Sequence, residues 1–231
     1  MTLTLDTRAP TIVLVAMFNP AIFQPTWIAR HLFDKGEGED MAIMEMIGQN
    51  GADIIQMSFF EGVAFNVESE RTQMFTIDGN VETLGNLEKI LLKMLNVLPH
   101  TPLSAIGCNF TFVDDAPLPA ITSLFETREA LEGEGKLNLR QSGVQLLLDG
   151  SEVVNFNRIM TEQNVRYTFN YHRPETDIIK YHEFLPGWIS KSLKHSENIL
   201  KSYYGYDHHE IIGFMTEPQQ GNDENVIAST N

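Results

Sequence analysis

The chain has 231 residues, with 31 acidic side chains against 16 basic ones, and its formal net charge is −15. That length suits one large domain or two of about 100 residues, and a hydrophobic share of 42% is enough for a folded core. The acid excess argues against a general binder of nucleic-acid backbones and against docking on anionic membranes, because both require clustered lysine and arginine.

The single cysteine, Cys108, excludes an intramolecular disulfide and favours a reducing compartment. The apolar run over residues 11–18 is too short to span a bilayer and is typical of a buried strand. No basic leader precedes this run, so we expect no cleaved targeting segment and a cytoplasmic protein.

The first part of the chain alternates strand-like and helix-like patterns. Residues 11–18 predict a strand that ends at Asn19 and Pro20, and helical spacing begins at Pro25. Apolar residues recur every three or four positions over 84–98, which predicts an amphipathic helix. The other features are an acidic, glycine-containing loop at 34–40, an apolar segment of undetermined type at 41–47, and strands at 53–60, 63–68, 73–77 and 103–113.

A similar order of elements follows the turn-forming segment 114–119, which we interpret as a boundary. Residues 216–231 lack apolar periodicity and predict a disordered tail. Between the boundary and the tail, the patterns predict a helix at 121–131, an acidic loop at 132–136, strands at 144–148, 153–156 and 165–171, a helix at 188–203, and a closing strand at 211–215.

This order predicts an α+β fold in which helices pack on an antiparallel sheet. It also predicts an internal duplication into two halves, each made of a strand, a helix, three strands and a long helix. Residue identity between the halves is weak, so this correspondence depends on element order alone. The predicted organisation is an N-terminal half at 1–115 and a C-terminal half at 116–215, packed as one unit and followed by the tail at 216–231.

Two segments carry a resemblance to a known family. One runs from Phe18 to Trp27, where Asn-Pro leads into aromatic residues, and the other contains Thr-Pro and Ala-Ile-Gly-x-Asn within 101–109. Through these motifs the N-terminal half resembles a sporadically distributed family of uncharacterised bacterial proteins. The resemblance implies no activity, and the sporadic distribution of the family implies an accessory function such as phage defence.

The motifs of several enzyme classes are missing from the sequence. There is no G-x-x-x-x-G-K-[ST] and no G-x-G-x-x-G to hold a nucleotide, and no G-x-S-x-G for a nucleophilic serine. Cys108 lies in a predicted strand, where a buried cysteine acts as a small hydrophobic residue. The sequence therefore predicts no catalytic residue and no cofactor.

A cluster of histidine and glutamate near the C-terminus is the strongest candidate for a metal site. Its candidate ligands are His172, His182, His209 and Glu210, and imidazole with carboxylate suits zinc or a similar ion. No H-E-x-x-H or other fixed ligand spacing is present, and histidines on surface loops explain the cluster more simply. We therefore predict no metal site, and a metal-dependent hydrolase is the alternative function.

Aromatic and basic residues of the C-terminal half suggest a binding surface. Strand alternation puts Tyr167, Phe169 and Tyr171 on one face, which is either core or an aromatic-lined groove for a peptide or small ligand. Such a ladder would also suit single-stranded nucleic acid, which is a second alternative function. Residues 173–201 form the most basic region of the chain and could dock an acidic partner, through Arg173, Lys180, Lys191 and Lys194.

These observations favour a non-enzymatic binding or assembly protein that acts through protein–protein contacts. Its partner would be another protein or a second copy of the chain, for example within a bacterial phage-defence or other accessory complex. Nucleic acid and membranes are not expected as partners, and the sequence does not identify a small-molecule ligand.

Overall fold

The computed structural model describes residues 3–36, 42–47, 54–60, 62–76, 79–126, 140–148, 150–206 and 212–214. This part of the chain contains eleven strands and five α-helices. In chain order they are β1 (Leu3–Asp6), β2 (Ile12–Ala16), α1 (Pro25–Leu32), β3 (Ala42–Ile47), β4 (Ile54–Phe60), β5 (Val63–Val67), β6 (Arg71–Thr76), α2 (Val81–Val97), β7 (Leu103–Asp114), α3 (Pro119–Thr122), β8 (Gln141–Leu147), β9 (Val153–Met160), β10 (Val165–Pro174), α4 (Ile178–Phe184), α5 (Trp188–Tyr204) and β11 (Ile212–Phe214).

All described strands belong to one sheet, whose main path has the order β3-β4-β5-β6-β2-β7-β10-β9-β8. Each pair along this path is antiparallel. β1 pairs with β7 beyond the end of β2, and β11 adds to β1 as a parallel strand. The predicted α+β fold with an antiparallel sheet and packing helices is confirmed.

The two long helices, α2 and α5, contact each other and cover one face of the sheet. β10 shows the resulting alternation, because Val165, Tyr167, Phe169 and Tyr171 are buried while the residues between them are half-exposed. Burial of these side chains, with the apolar residues of β2 and β7, supplies the main stabilising free energy of the fold. None of the described helices is long and apolar enough to cross a membrane.

A buried carboxylate joins the two long helices. Glu88 on α2 accepts hydrogen bonds from the backbone N–H groups of Gly187 and Ile189, each at 2.8 Å, at the start of α5. It supplies the capping acceptor that the first turn of α5 lacks, since no side chain at the N-cap does so. Gly187 takes the N-cap position with a φ of 75°, a conformation that favours glycine.

Most predicted elements are present with small shifts at their ends. The segment 41–47, whose type the sequence left open, contains β3, and the closing strand is β11. The sequence patterns did not predict β1 or α4. The predicted helix at 121–131 begins earlier, at Pro119, and its α-helical part ends at Thr122, where a 3-10 turn at Ser123–Phe125 follows. The rest of that helix, the loop at 132–136 and the tail at 216–231 lie outside the described residues.

Strand order has a symmetry about the central β2–β7 pair. Outward from this pair the path runs β6, β5, β4 on one side and β10, β9, β8 on the other, with β3 as an additional strand on the first side. This order does not establish a duplication, which stays a prediction. The division at residues 115 and 116 also stays a prediction, because β7 pairs with strands of both halves.

Candidate binding surface

Strands β7, β10 and β9 present uncharged polar side chains on the face opposite the helices. We call this the open face and define it by six residues. Five of them are half-exposed, and Thr111 is 8% exposed. Strand register places them side by side across the sheet. They are Asn109, Thr111, Asn155, Asn157, Thr168 and Asn170.

A continuous row of side-chain amides crosses the open face from the sheet edge to its centre. Gln145 Nε2 on β8 donates to Asn155 Oδ1 at 3.0 Å, and Asn155 Nδ2 donates to Asn170 Oδ1 at 3.2 Å. Asn170 Nδ2 then donates to Asn109 Oδ1 at 2.6 Å, and Asn109 Nδ2 donates to the carbonyl oxygen of Pro10 at 3.1 Å. We call Gln145, Asn155, Asn170 and Asn109 the amide row.

The amide row holds its donors and acceptors in fixed positions. Each amide uses one of its two N–H donors along the row, and the carbonyl oxygens of Asn155, Asn170 and Asn109 each accept one hydrogen bond. Within the described part of the chain, no partner uses the second N–H of each amide or the second lone pair of each of these oxygens, so these groups can bind a ligand. The row can therefore recognise groups with the hydrogen-bonding capacity of a peptide.

Charged side chains stand at one end of the open face. The Asp6 carboxylate on β1 forms ion pairs with two guanidinium groups, with Arg166 Nη2 at 2.9 Å and Arg8 Nη2 at 2.7 Å from its Oδ2. The hydrogen bonds from Arg8 hold the pKa of Asp6 below its usual value, against the opposite effect of its partial burial. His172 lies exposed toward the other end of β10, opposite Gly107 and Val153. Between Arg166 and His172 the open face carries no charge.

The predicted aromatic surface is part of the core. Tyr167, Phe169 and Tyr171 are 0–1% exposed and lie on the helix-covered face of β10. Phe169 stacks on Phe156 with ring centroids 4.5 Å apart, while Tyr167 packs edge-on against Tyr204 of α5. These side chains cannot contact a partner or stack on nucleic-acid bases without leaving the core.

The predicted basic surface lies on the helix-covered side of the sheet rather than on the open face, with Arg173 at the end of β10 and the three lysines on α4 and α5. The Arg173 guanidinium sits 4.0 Å from the ring centroid of Phe184, which is a cation–π contact. Lys180 forms an ion pair with Glu175, with Nζ 3.6 Å from Oε2. Lys191 and Lys194 are exposed on α5. The helical layer is therefore where an acidic partner would meet these side chains.

The candidate metal ligands do not form a described site. His172 lies on β10 and His182 on α4, whereas His209 and Glu210 lie outside the described residues. Within the described ranges, no group of three histidine, cysteine, aspartate or glutamate side chains could hold a metal ion.

Buried polar groups on the helix-covered face form two hydrogen-bonded clusters. Tyr206 donates to the buried Asp114 carboxylate at 2.6 Å and contacts the hydroxyl of Tyr167 at 2.9 Å. Tyr171 contacts Ser196 Oγ at 2.8 Å and His195 Nδ1 at 2.9 Å. Their partners satisfy groups that burial would otherwise penalise, so these clusters have a structural role.

Cys108 is fully buried, as predicted, and burial raises the pKa of its thiol well above the usual value. The open face was not predicted, although Asn155 and Asn157 alternate with core residues in a strand pattern. Alternation shows that such residues share a face, but not which strands lie beside them.

Comparisons with known proteins add no assignment to this geometry. No protein-family model matches the chain, and no curated protein matches it either.

Proposed function

We propose that this protein is a binding protein that recognises another protein through the open face of its sheet. The observation that carries the proposal is the amide row, which spans four strands and keeps unused hydrogen-bonding capacity at a half-exposed surface. Donors that are already held in place lose little conformational freedom on binding, so they favour affinity.

The composition of the open face supports this proposal. Asparagine is depleted in strands because its side chain packs poorly there and competes for backbone hydrogen bonds. Asn109, Asn155, Asn157 and Asn170 nevertheless occupy strand interiors. Residues that contradict local preference are expected where function requires them.

The lack of charge on this face indicates the kind of partner. The chain carries a net charge of −15, while the open face is neutral between Arg166 and His172. Cores of protein interfaces are depleted in charged residues. The partner surface is accordingly uncharged and rich in backbone or amide groups.

The biological setting follows from the resemblance of the N-terminal half to a family of bacterial proteins. We place the protein in a bacterial accessory complex, of which a phage-defence complex is one example. It acts there by binding rather than by catalysis, and the partner is a protein of the same complex.

Site-specific photo-cross-linking tests the use of the open face. A photoreactive amino acid at Thr168 reports on the open face, and the same group at Lys89, exposed on α2, serves as the control. In cells of the source organism, we expect position 168 to yield one dominant cross-linked protein that position 89 does not. Equal cross-linking from both positions, or none from position 168, would contradict the proposal.

Matched alanine variants then test the amide row itself. Asn155→Ala interrupts the row, whereas Asn96→Ala removes an exposed asparagine from α2. We expect Asn155→Ala to weaken binding of the identified partner at least tenfold, about 1.4 kcal/mol, and Asn96→Ala to leave it unchanged. Thermal unfolding of both variants checks that each remains folded.

A further inference from the structure

β8 forms one edge of the described sheet, and no described strand hydrogen-bonds to the outer side of its backbone. Arg140 and Leu148 flank the strand. The Arg140 carbonyl accepts from Met160 of β9, and the Leu148 N–H donates to the carbonyl of Glu152, just before β9. Backbone groups of successive strand residues point to opposite sides, so the even-numbered residues face β9. Gln141, Gly143, Gln145 and Leu147 therefore direct their N–H and C=O groups away from the sheet, where β9 cannot reach them.

This edge lacks the features that usually protect an edge strand. β8 contains seven residues, Gln-Ser-Gly-Val-Gln-Leu-Leu, without charge or proline. Leu147 is 77% exposed and Val144 is 49% exposed. An uncharged, extended edge of this kind is a template for pairing with another strand.

An apolar groove runs beside the same edge, between β8 and α5, with a volume of about 460 Å³. Its lining includes Val144, Leu146, Ile199 and Tyr203, none of which is charged, and Tyr203 is 79% exposed. Two acidic chains would repel each other over most of their surfaces. This neutral edge is a place where two copies can approach without that repulsion.

The amide row ends at this edge with an unfilled acceptor. Gln145 donates one N–H to Asn155, while its Oε1 and its second N–H have no partner among the described residues. A second Gln145 placed opposite the first would satisfy both groups, because each amide can donate to the oxygen of the other. The group that best completes the amide row is therefore another side-chain amide.

We propose that two copies of the chain form a symmetric dimer through antiparallel pairing of their β8 strands, with Gln145 on the two-fold axis. Antiparallel pairing of a strand with itself is the arrangement that a two-fold axis generates. The two sheets become one, and the amide row runs without interruption from one copy to the other.

The side chains of β8 complement each other in this register. Leu147 of one copy lies opposite Gly143 of the other, so the exposed leucine faces the residue without a side chain. Val144 lies opposite Leu146 on the other face, beside the apolar groove. Moving the axis by one residue, to Val144, would place Gly143 opposite Gln145 and would separate the two amides.

The mass in solution is the first test. We expect light scattering on a sizing column to give twice the 26.1 kDa of one chain at about 100 µM protein, since a dimer's population depends on concentration. Gln145→Pro should give the single-chain mass, because proline removes an N–H that only the second copy uses. A monomeric wild-type chain, or a dimer that persists in Gln145→Pro, would overturn the proposal.

A second pair of variants tests the same edge without a proline, so that misfolding of Gln145→Pro does not decide the result. Leu147→Lys introduces a charge at the edge, and Val81→Lys introduces the same charge at a site of similar exposure, 72%, on α2. We expect only Leu147→Lys to lower the dimer fraction, with both variants retaining the wild-type circular dichroism spectrum. Equal dimer fractions in the two variants would overturn the proposal.

Cysteine cross-linking tests the register. Directly opposed, hydrogen-bonded residues have Cα atoms about 5.5 Å apart, within the range of about 4.4–6.8 Å that a disulfide requires. Air oxidation with a copper catalyst should therefore link Gln145→Cys to its own copy. Leu147→Cys, two residues along the same face, should not link to itself, and native Cys108 is fully buried.

Efficient self-linking of Leu147→Cys, or none of Gln145→Cys, would overturn the axis at Gln145. These outcomes are separate from those of the open-face experiments, because cross-linking at Thr168 reports on the partner and not on the mass of the chain. A partner strand bound at β8 of a monomeric chain would also overturn the dimer.

Discussion

Glu88 shows how one side chain connects distant parts of the sequence. It is 8% exposed, lies on α2, and binds backbone N–H groups 99 and 101 positions further along the chain. A buried carboxylate in such a place is stabilising only while both of its partners remain. Helical periodicity placed residues 84–98 in an amphipathic helix, but it gave no reason to expect a carboxylate on the buried side.

Substitution of Glu88 tests this role directly. We expect Glu88→Ala to lower the free energy of unfolding by about 2 kcal/mol or more, because the buried N–H of Ile189 and the half-buried N–H of Gly187 lose their acceptor. Glu82→Ala, at an exposed site in the first turn of α2, should cost less than about 1 kcal/mol. Urea denaturation followed by circular dichroism measures both values. A smaller loss in Glu88→Ala than in Glu82→Ala would contradict the capping role.

Buried tyrosines on β10 and just after α5 predict a loss of stability at alkaline pH. Burial raises the pKa of Tyr167 to about 12, and it raises the pKa values of Tyr171 and Tyr206 further. An unfolded tyrosine loses its proton near pH 10. Above that pH the unfolded state binds fewer protons than the folded state, so stability is intact below about pH 10 and falls as the pH rises toward 12.

The urea midpoint should accordingly decrease between pH 9 and pH 11. Tyr167→Phe removes one of the titrating groups, so the decrease should be smaller in that variant than in the wild type. An identical decrease in both proteins would show that Tyr167 does not contribute.

Strand-level features explain why sequence patterns did not predict the open face. The elements with strong apolar periodicity, α2 and α5, were predicted to within a few residues. β1 was missed because it has only four residues and owes its place to β7, which lies more than a hundred positions away. The amide row depends in the same way on strand neighbours, since its members come from β7, β8, β9 and β10.

From the binding function proposed for the open face, we expect Asn157 to favour partner binding at a cost in the free energy of unfolding. This residue occupies a strand interior without belonging to the amide row, and a β-branched side chain suits such a position better. We expect Asn157→Val to raise the free energy of unfolding by up to about 1 kcal/mol and to weaken partner binding. Urea denaturation measures the first effect, and a lower stability than the wild type would contradict it.

At the scale of the whole molecule, the segments on either side of the predicted boundary at residues 115 and 116 share one sheet and one core. β7 pairs with β2 on one side and with β10 on the other, and α2 contacts α5. The predicted packing of the halves as one unit therefore leads us to expect a single cooperative unfolding transition.

The two tryptophans provide one reporter in each half. Trp27 lies in α1 and Trp188 in α5. In Trp27→Phe only Trp188 reports, and in Trp188→Phe only Trp27 does. Within each variant, the fluorescence transition should coincide with the circular dichroism transition in urea. Separate midpoints for the two probes would show that the halves unfold independently.

The position of β2 in the middle of the sheet has a consequence during synthesis. Sixty-two residues separate Ile12 from its partner Met74 on β6, and ninety-six separate it from Cys108 on β7. At about 5–20 residues per second, the ribosome delivers the first of these partners roughly 3–12 s after β2. Through that interval the apolar segment Ile12–Ala16 lacks both strands that flank it in the folded protein, so the nascent chain exposes an unpaired apolar strand, which favours aggregation, until β6 emerges.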